Sequence, residues 1–151
     1  MHIRTGACHC GGLRVAVELS RSPETYHPRA CDCDFCRAHA AAWLSDPEGV
    51  LRIRRQNEGM AVIYRQGSGQ AELLLCGNCG VVVAALYRND ARLYAAVNAR
   101  AIAGGAGFAN EQTASPKTLS SREKCARWQS LWFSNVTLEG LDPTLTEASQ
   151  P

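Results

Sequence analysis

The chain has 151 residues, 46% of them hydrophobic and 20% charged, with 16 basic against 14 acidic side chains. This length suits one domain, the mix excludes disorder over most of the chain, and a net charge of +2 is too small to mark a polyanion binder. The longest apolar run, Val81 to Leu86, falls far short of the ~18 residues a membrane span needs. Met1 to Gly6 leads directly into a cysteine motif with no apolar stretch of the kind a secretion signal carries. The expectation is a cytoplasmic protein with neither a nucleic-acid nor a membrane partner.

Cys8-x-Cys10 stands near the amino terminus, followed by the Gly11-Gly12 turn. Leu13, Val15, Val17 and Leu19 then alternate with Arg14, Ala16 and Glu18, which predicts a half-buried strand. Residues 20–30 carry two prolines and read as a loop that delivers the chain to Cys31-x-Cys33-x-x-Cys36. Asp34 is placed to cap a short helix from Phe35 to Ala42, with Cys36 on the first turn, where amide dipoles favour a thiolate. Asp46 to Gly49 reads as a turn and Val50 to Arg55 as a strand.

Met60 to Arg65 and Gln70 to Leu75 flank Gly67-Ser68-Gly69 as a hairpin. Its second arm ends in Cys76-Gly77-Asn78-Cys79-Gly80, whose glycines are expected to supply positive backbone angles for wrapping an ion. A second hairpin, Val81 to Arg88 and Ala91 to Val97, turns at Asn89-Asp90. Residues 103–118 read as a Gly/Ser-rich loop, and Ser120 to Glu123 as a capping box opening a helix over about 121–133. Cys125, Trp128 and Trp132 on that helix read as a packing stripe, and 140–151 as a loose polar tail. The fold class is a mostly-β single domain spanning 1–151, with one short and one longer helix.

Seven of the eight cysteines fall in these three short motifs. Disulfides need Cα atoms ~4.4–6.8 Å apart with Cβ atoms facing, which partners two or three residues apart seldom reach without strain. Short spacings instead let neighbouring thiolates converge on one zinc ion, and two such turns close a tetrahedron. Four thiolates make a closed site, for which Cys8/Cys10 and Cys76/Cys79 pair across the chain. The contiguous Cys31, Cys33 and Cys36 are then one ligand short. Either this second site keeps an open position, where zinc chemistry occurs, or it borrows a fourth ligand from His9, His27, His39, Asp32 or Asp34 and is structural.

The runs Gly6-Ala7-Cys8-His9-Cys10-Gly11-Gly12, Cys31-Asp32-Cys33-Asp34-Phe35-Cys36-Arg37 and Cys76-Gly77-Asn78-Cys79-Gly80 together resemble the glutathione-dependent formaldehyde-activating family, over roughly residues 3–100. The resemblance implies a β-tent zinc fold with two Zn2+ per chain. It places Cys8, Cys10, Cys76 and Cys79 on a structural ion and Cys31, Cys33 and Cys36 on an active-site ion. It also implies a carbon–sulfur lyase activity on the adduct of glutathione with formaldehyde or another small aldehyde. Val97 to Ile102 is similar to an Asn-x-Arg stretch of one branch, which makes Arg100, beside Arg37, a candidate active-site residue. Leu74-Leu75 and Val81 stand where the family often has Arg-Phe and a small polar residue, which suggests a more apolar pocket wall.

Glutathione carries two carboxylates, for which Arg37, Arg52, Arg54, Arg55 and Arg100 are candidate partners, since the guanidinium fork pairs carboxylate bidentately. Against that stands a solvated strand edge for Arg52, Arg54 and Arg55. His39, three residues after Cys36, is the best-placed spare base. The alternative function is a non-catalytic module in which both zinc ions are structural and an apolar face binds another macromolecule.

Overall fold

The computed structural model describes residues 1–56, 61–102, 104 and 107–141. Strands β1 (His2–Ala7), β2 (Leu13–Leu19) and β3 (Arg29–Cys31) precede helix α1 (Asp34–His39). There follow β4 (Trp43–Leu44), β5 (Val50–Arg55), β6 (Ala61–Tyr64), β7 (Ala71–Cys76), β8 (Val82–Asn89), β9 (Arg92–Asn98) and β10 (Gln112–Ala114). Helix α2 (Ser121–Leu131) and β11 (Asn135–Glu139) complete the described chain. None of its helices is long and apolar enough to cross a membrane.

The strands form two sheets, one ordered β1-β2-β5-β11 and the other β10-β3-β4-β9-β8-β7-β6. The expected strands and both hairpins are present, and period-two alternation explains how they pack. Leu13, Val15, Val17 and Leu19 of β2 all point into the main core, as do Leu51 and Ile53 of β5. The larger sheet is covered on both faces. Along β9, Ala95 and Val97 face the main core while Tyr94 and Ala96 join a second cluster with Trp128 and Trp132 of α2. A strand buried on both faces reads as a continuous apolar run, which is why Val82 to Leu86 shows no polar alternation.

Several expectations change in detail. Hairpins are not the whole architecture, because β10 pairs with β3 and β11 with β5 in parallel. Strand β10 and a 3-10 turn at Pro116–Thr118 lie within the stretch expected to be a loop over 103–118. The N-cap of α1 is Cys33 rather than Asp34, its Sγ accepting from the Cys36 amide at 3.4 Å. That helix ends at His39, not Ala42, because Ala40 turns left-handed with φ 50°. The capping box at Ser120 and Glu123 is formed, and α2 ends at Leu131. Of the expected tail, Leu141 is buried in the core, and residues 142–151 lie outside the described residues, as does Met60.

Candidate metal centres and active site

Two knuckles of similar build bring four cysteines together. In the first, the Cys8 amide donates to the Leu13 carbonyl at 2.9 Å and the Gly11 amide to the Cys8 carbonyl at 3.1 Å. In the second, the Cys76 amide donates to Val81 at 3.0 Å and the Gly80 amide to Cys76 at 2.9 Å. Gly11 and Gly80 each follow the last cysteine of their pair at φ 81°, with open space around a Cβ added there. Glycine is thus required by backbone conformation rather than by crowding. Gly77, expected to share this role, is not at positive φ.

The sulfurs of Cys8, Cys10, Cys76 and Cys79 lie within 4.8 Å of one another, with Cys10 and Cys76 only 3.5 Å apart. Backbone amides point at them: Leu13 at Cys8 Sγ (3.2 Å), and Asn78 and Cys79 at Cys76 Sγ (3.4 and 3.5 Å). Such donors stabilise thiolates, the form that binds metal. A hydrogen bond with the Asn78 side chain leads in pulling Cys10 down to about 6, while burial pushes Cys76 up to about 11.

The second group is Cys31, Cys33 and Cys36, whose sulfurs also lie within 4.8 Å of one another. Cys31 ends β3, Cys33 caps α1 and Cys36 sits in its first turn, so three residues on two elements meet at one point. Trp43 Nε1 donates to Cys36 Sγ at 3.3 Å, and Gln66 Nε2 to Cys33 Sγ at 3.9 Å. Hydrogen bonding with Cys36 draws Cys31 down to about 6 and drives Cys36 far up, so the thiols share protons that a divalent ion would replace. Both groups therefore have the donor set and spacing to hold a metal ion.

No fourth Cys, His, Asp or Glu donor among the described residues joins the second group at that distance. His27 Nδ1 is 2.7 Å from the Asn110 carbonyl oxygen, and the His39 ring lies 4.3 Å from that of Phe35. Asp32 bonds with Ser115 and lies 3.8 Å from Lys117. His9 and Asp34 are exposed and belong to neither sulfur group.

The three cysteines line a cavity of about 170 Å³. Its apolar wall comes from Trp43, Leu73, Ala85 and the rings of Trp128 and Trp132, stacked 5.1 Å apart at the C-terminal end of α2. Leu74 instead packs in the main core, and neither Leu75 nor Val81 lines the cavity, so their apolar character does not shape it. The β6–β7 turn contributes Gln66, Gly67 and Ser68. Four cations, Arg29, Lys117, Lys124 and Arg127, also line it.

Arg37 and Arg100 lie outside that lining. Arg37 is exposed on α1, while Arg100 donates to the Ala40 carbonyl at 3.1 Å and pairs with Glu111 at 2.8 Å. Arg52 pairs with Glu18 on the other sheet, which also carries Arg54 and Arg55. Sequence reasoning missed Arg29, Lys124 and Arg127, although each carries a signal. Arg29 is two residues before Cys31 and shares its strand face, while Lys124, Arg127 and Trp128 share one helix face through i, i+3, i+4 spacing. Trp128 and Trp132 pack as expected but also wall the cavity.

Residues 3–120 match the family described as glutathione-dependent formaldehyde-activating enzyme. The chain belongs to this family. A crystal structure of a Rhodobacter sphaeroides protein is 30% identical, over 66% of this chain and 88% of that one, with a TM-score of 0.53. The family match takes in all seven clustered cysteines and stops one residue before α2. The cavity floor is therefore within the family-matched part of the chain, and the Trp128–Trp132 wall is outside it.

Proposed function

We propose that the protein is a carbon–sulfur lyase-type enzyme that makes and breaks the adduct of a thiol, glutathione, with formaldehyde or another small aldehyde. In the addition direction the thiol sulfur bonds to the carbonyl carbon, the C=O π pair moves to oxygen, and the proton leaving sulfur ends on that oxygen. The reverse reaction breaks the C–S bond and returns the proton. The observation that carries this reading is a three-sulfur group, with no fourth donor among the described residues, opening into a cavity. The family's own description names both glutathione and formaldehyde.

The four-sulfur group is read as structural and the three-sulfur group as the active site, each holding zinc. Zinc held by Cys31, Cys33 and Cys36 would supply positive charge to stabilise a substrate thiolate. The protein's own residues do the rest. Trp43 and the Cys36 amide donate to ligand sulfurs, Trp128 and Trp132 keep water from one wall, and the cavity holds two reactants together. Proximity is the main source of acceleration for an addition that already proceeds unaided; in the best intramolecular models it is worth up to ~7–11 kcal/mol. Arg100 acts at a distance in this scheme, by holding the Ala40 carbonyl at the end of α1, while Arg37, exposed on α1, lies outside the cavity lining. The thiolate-rich sites suit a reducing, cytoplasmic setting.

The test is exchange NMR on an equilibrium mixture of glutathione, formaldehyde and their adduct, with the zinc-loaded protein and its Cys33→Ser variant. Faster exchange with the native protein and only the buffer rate with the variant, at equal folding, is the expected result. Exchange no faster than in buffer would reject the catalytic reading.

A further inference from the structure

We propose that Arg29 and Arg127 form a carboxylate-binding subsite beside the three-sulfur group, so that the substrate thiol must itself carry a carboxylate. The inference rests on the reading of that group as a thiol site, and adds which ligand group is recognised and by which residues. Both guanidinium-bearing residues line the cysteine cavity and also an adjoining hollow of about 290 Å³ bordered by β10. Of the four cations in the cavity lining, Lys117 pairs with Asp32, and Arg29, Lys124 and Arg127 have no acidic partner among the described residues. Among the described residues the Arg29 side chain donates to Ser45 Oγ at 2.7 Å and to no other, leaving most of its five N–H groups available.

Two like charges gathered in a partly dry place are unfavourable unless something anionic joins them. Trp128 and Trp132 beside Arg127 strengthen any charge pairing made there by excluding water. A carboxylate accepts two parallel N–H bonds from a guanidinium, which makes it the ligand group this pair fits. Cys31 is two residues from Arg29 on the same strand, so a short molecule can place its sulfur at the cysteines and its carboxylate at the arginines. Arg127 lies beyond the family-matched residues and Arg29 within them, so the subsite joins β3 to α2.

The test uses the zinc-loaded protein with 3-mercaptopropionate and its methyl ester, two thiols that differ in the carboxylate, with binding measured by calorimetry. The acid is expected to bind about 10-fold more tightly than the ester, as one charge-assisted contact provides. Arg127→Gln should bring the acid to the ester's affinity without changing the ester, and Arg127→Glu should reverse the preference. Arg122→Gln, on an exposed part of α2, should change nothing. Equal binding of acid and ester to the native protein would overturn the subsite, as would no binding of the acid. So would a preference that survives Arg127→Gln or is lost equally in Arg122→Gln. Glutathione run alongside separates the two readings. An Arg127-dependent acid preference without glutathione binding keeps the subsite and removes glutathione. Glutathione binding equally to native and Arg127→Gln proteins, with no acid preference, does the reverse.

Discussion

The indole nitrogen of Trp43 donates to Cys36 Sγ across 3.3 Å. Trp43 sits on β4, which pairs with β3 on one side and β9 on the other, so the central strands of the larger sheet hold this donor in place. Trp43→Phe keeps most of the ring and removes only the N–H. Loss of a donor to a ligand typically weakens a metal site by about 10–100-fold. With an ion in each sulfur group as proposed, chelator competition should show the one at Cys31, Cys33 and Cys36 released about 10-fold more readily, with the other unchanged and the melting temperature little altered. Two unaltered affinities would mean that the bond does not tune the site.

The two sulfur groups should respond differently to the same substitution. Cys8, Cys10, Cys76 and Cys79 join strands of both sheets, whereas Cys31, Cys33 and Cys36 lie within one local segment. Structural zinc contributes on the order of 10 kcal/mol in small domains, comparable with the whole stability of a domain. Cys76→Ser is therefore expected to leave the chain largely unfolded, while Cys33→Ser yields a folded protein short of one metal. Circular dichroism with elemental analysis checks both. Equal stability of the two variants would contradict the division into structural and open sites.

Gly6 marks a place where two segments touch. A Cβ there would lie 1.8 Å from the Ala101 carbonyl oxygen, at the bridge between Gly6 and Ile102. Backbone cannot yield as a side chain can, so Gly6→Ala must push β1 away from the segment after β9. The expected cost is about 3 kcal/mol, at the upper end for overpacking, measured by denaturant unfolding of the zinc-loaded protein. Because β1 leads into Cys8, weaker retention of metal at the four-sulfur group should accompany it.

Asp46 gives a pH signature. It is 2% exposed and accepts from Tyr26 Oη at 2.6 Å, from the Ser20 amide and hydroxyl at 2.8 Å each, and from the Glu48 amide at 3.0 Å. Burial pushes its carboxyl up, but these donors outweigh burial and hold it below the ordinary value of 3.8. A depressed folded-state value means stability that is fully present above the unfolded value and lost as pH falls through the folded one. Asp46→Asn should cost about 3 kcal/mol at neutral pH, because its NH2 would face donors. The gap between native and variant proteins should hold as pH is lowered to 3.8 and close below it. A gap that closes near neutrality would assign the effect to another group.

The cysteine motifs made the two sulfur groups legible because close spacing brings the sulfurs within a motif together and seven ligands divide into a closed four and a contiguous three. The alternation in Leu13 to Leu19 likewise revealed one sheet face. Strands β10 and β11 were not legible, since Gln112–Ala114 and Asn135–Glu139 pair in parallel with partners far away in the chain and carry no local turn signal. The cavity wall was half legible. Trp128 and Trp132 showed their helical spacing, but a stripe that packs and a stripe that also borders an opening have the same periodicity. Arg29 was hidden in a Pro-rich loop because the strand containing it, Arg29–Cys31, is only three residues long.

Cys10 and Cys76 lie 66 residues apart, and this separation has a kinetic meaning. Bringing such distant segments together costs about 4 kcal/mol of chain entropy before any bond rewards it. The sulfurs of Cys31, Cys33 and Cys36 need almost no search. In refolding with scarce zinc, the local trio should therefore capture the first ion and the four-sulfur group the second. Metal at the four-sulfur group would then arrive later and add a crosslink to the core that both sheets already share, so scarce zinc would favour chains with an occupied trio and an open four-sulfur group.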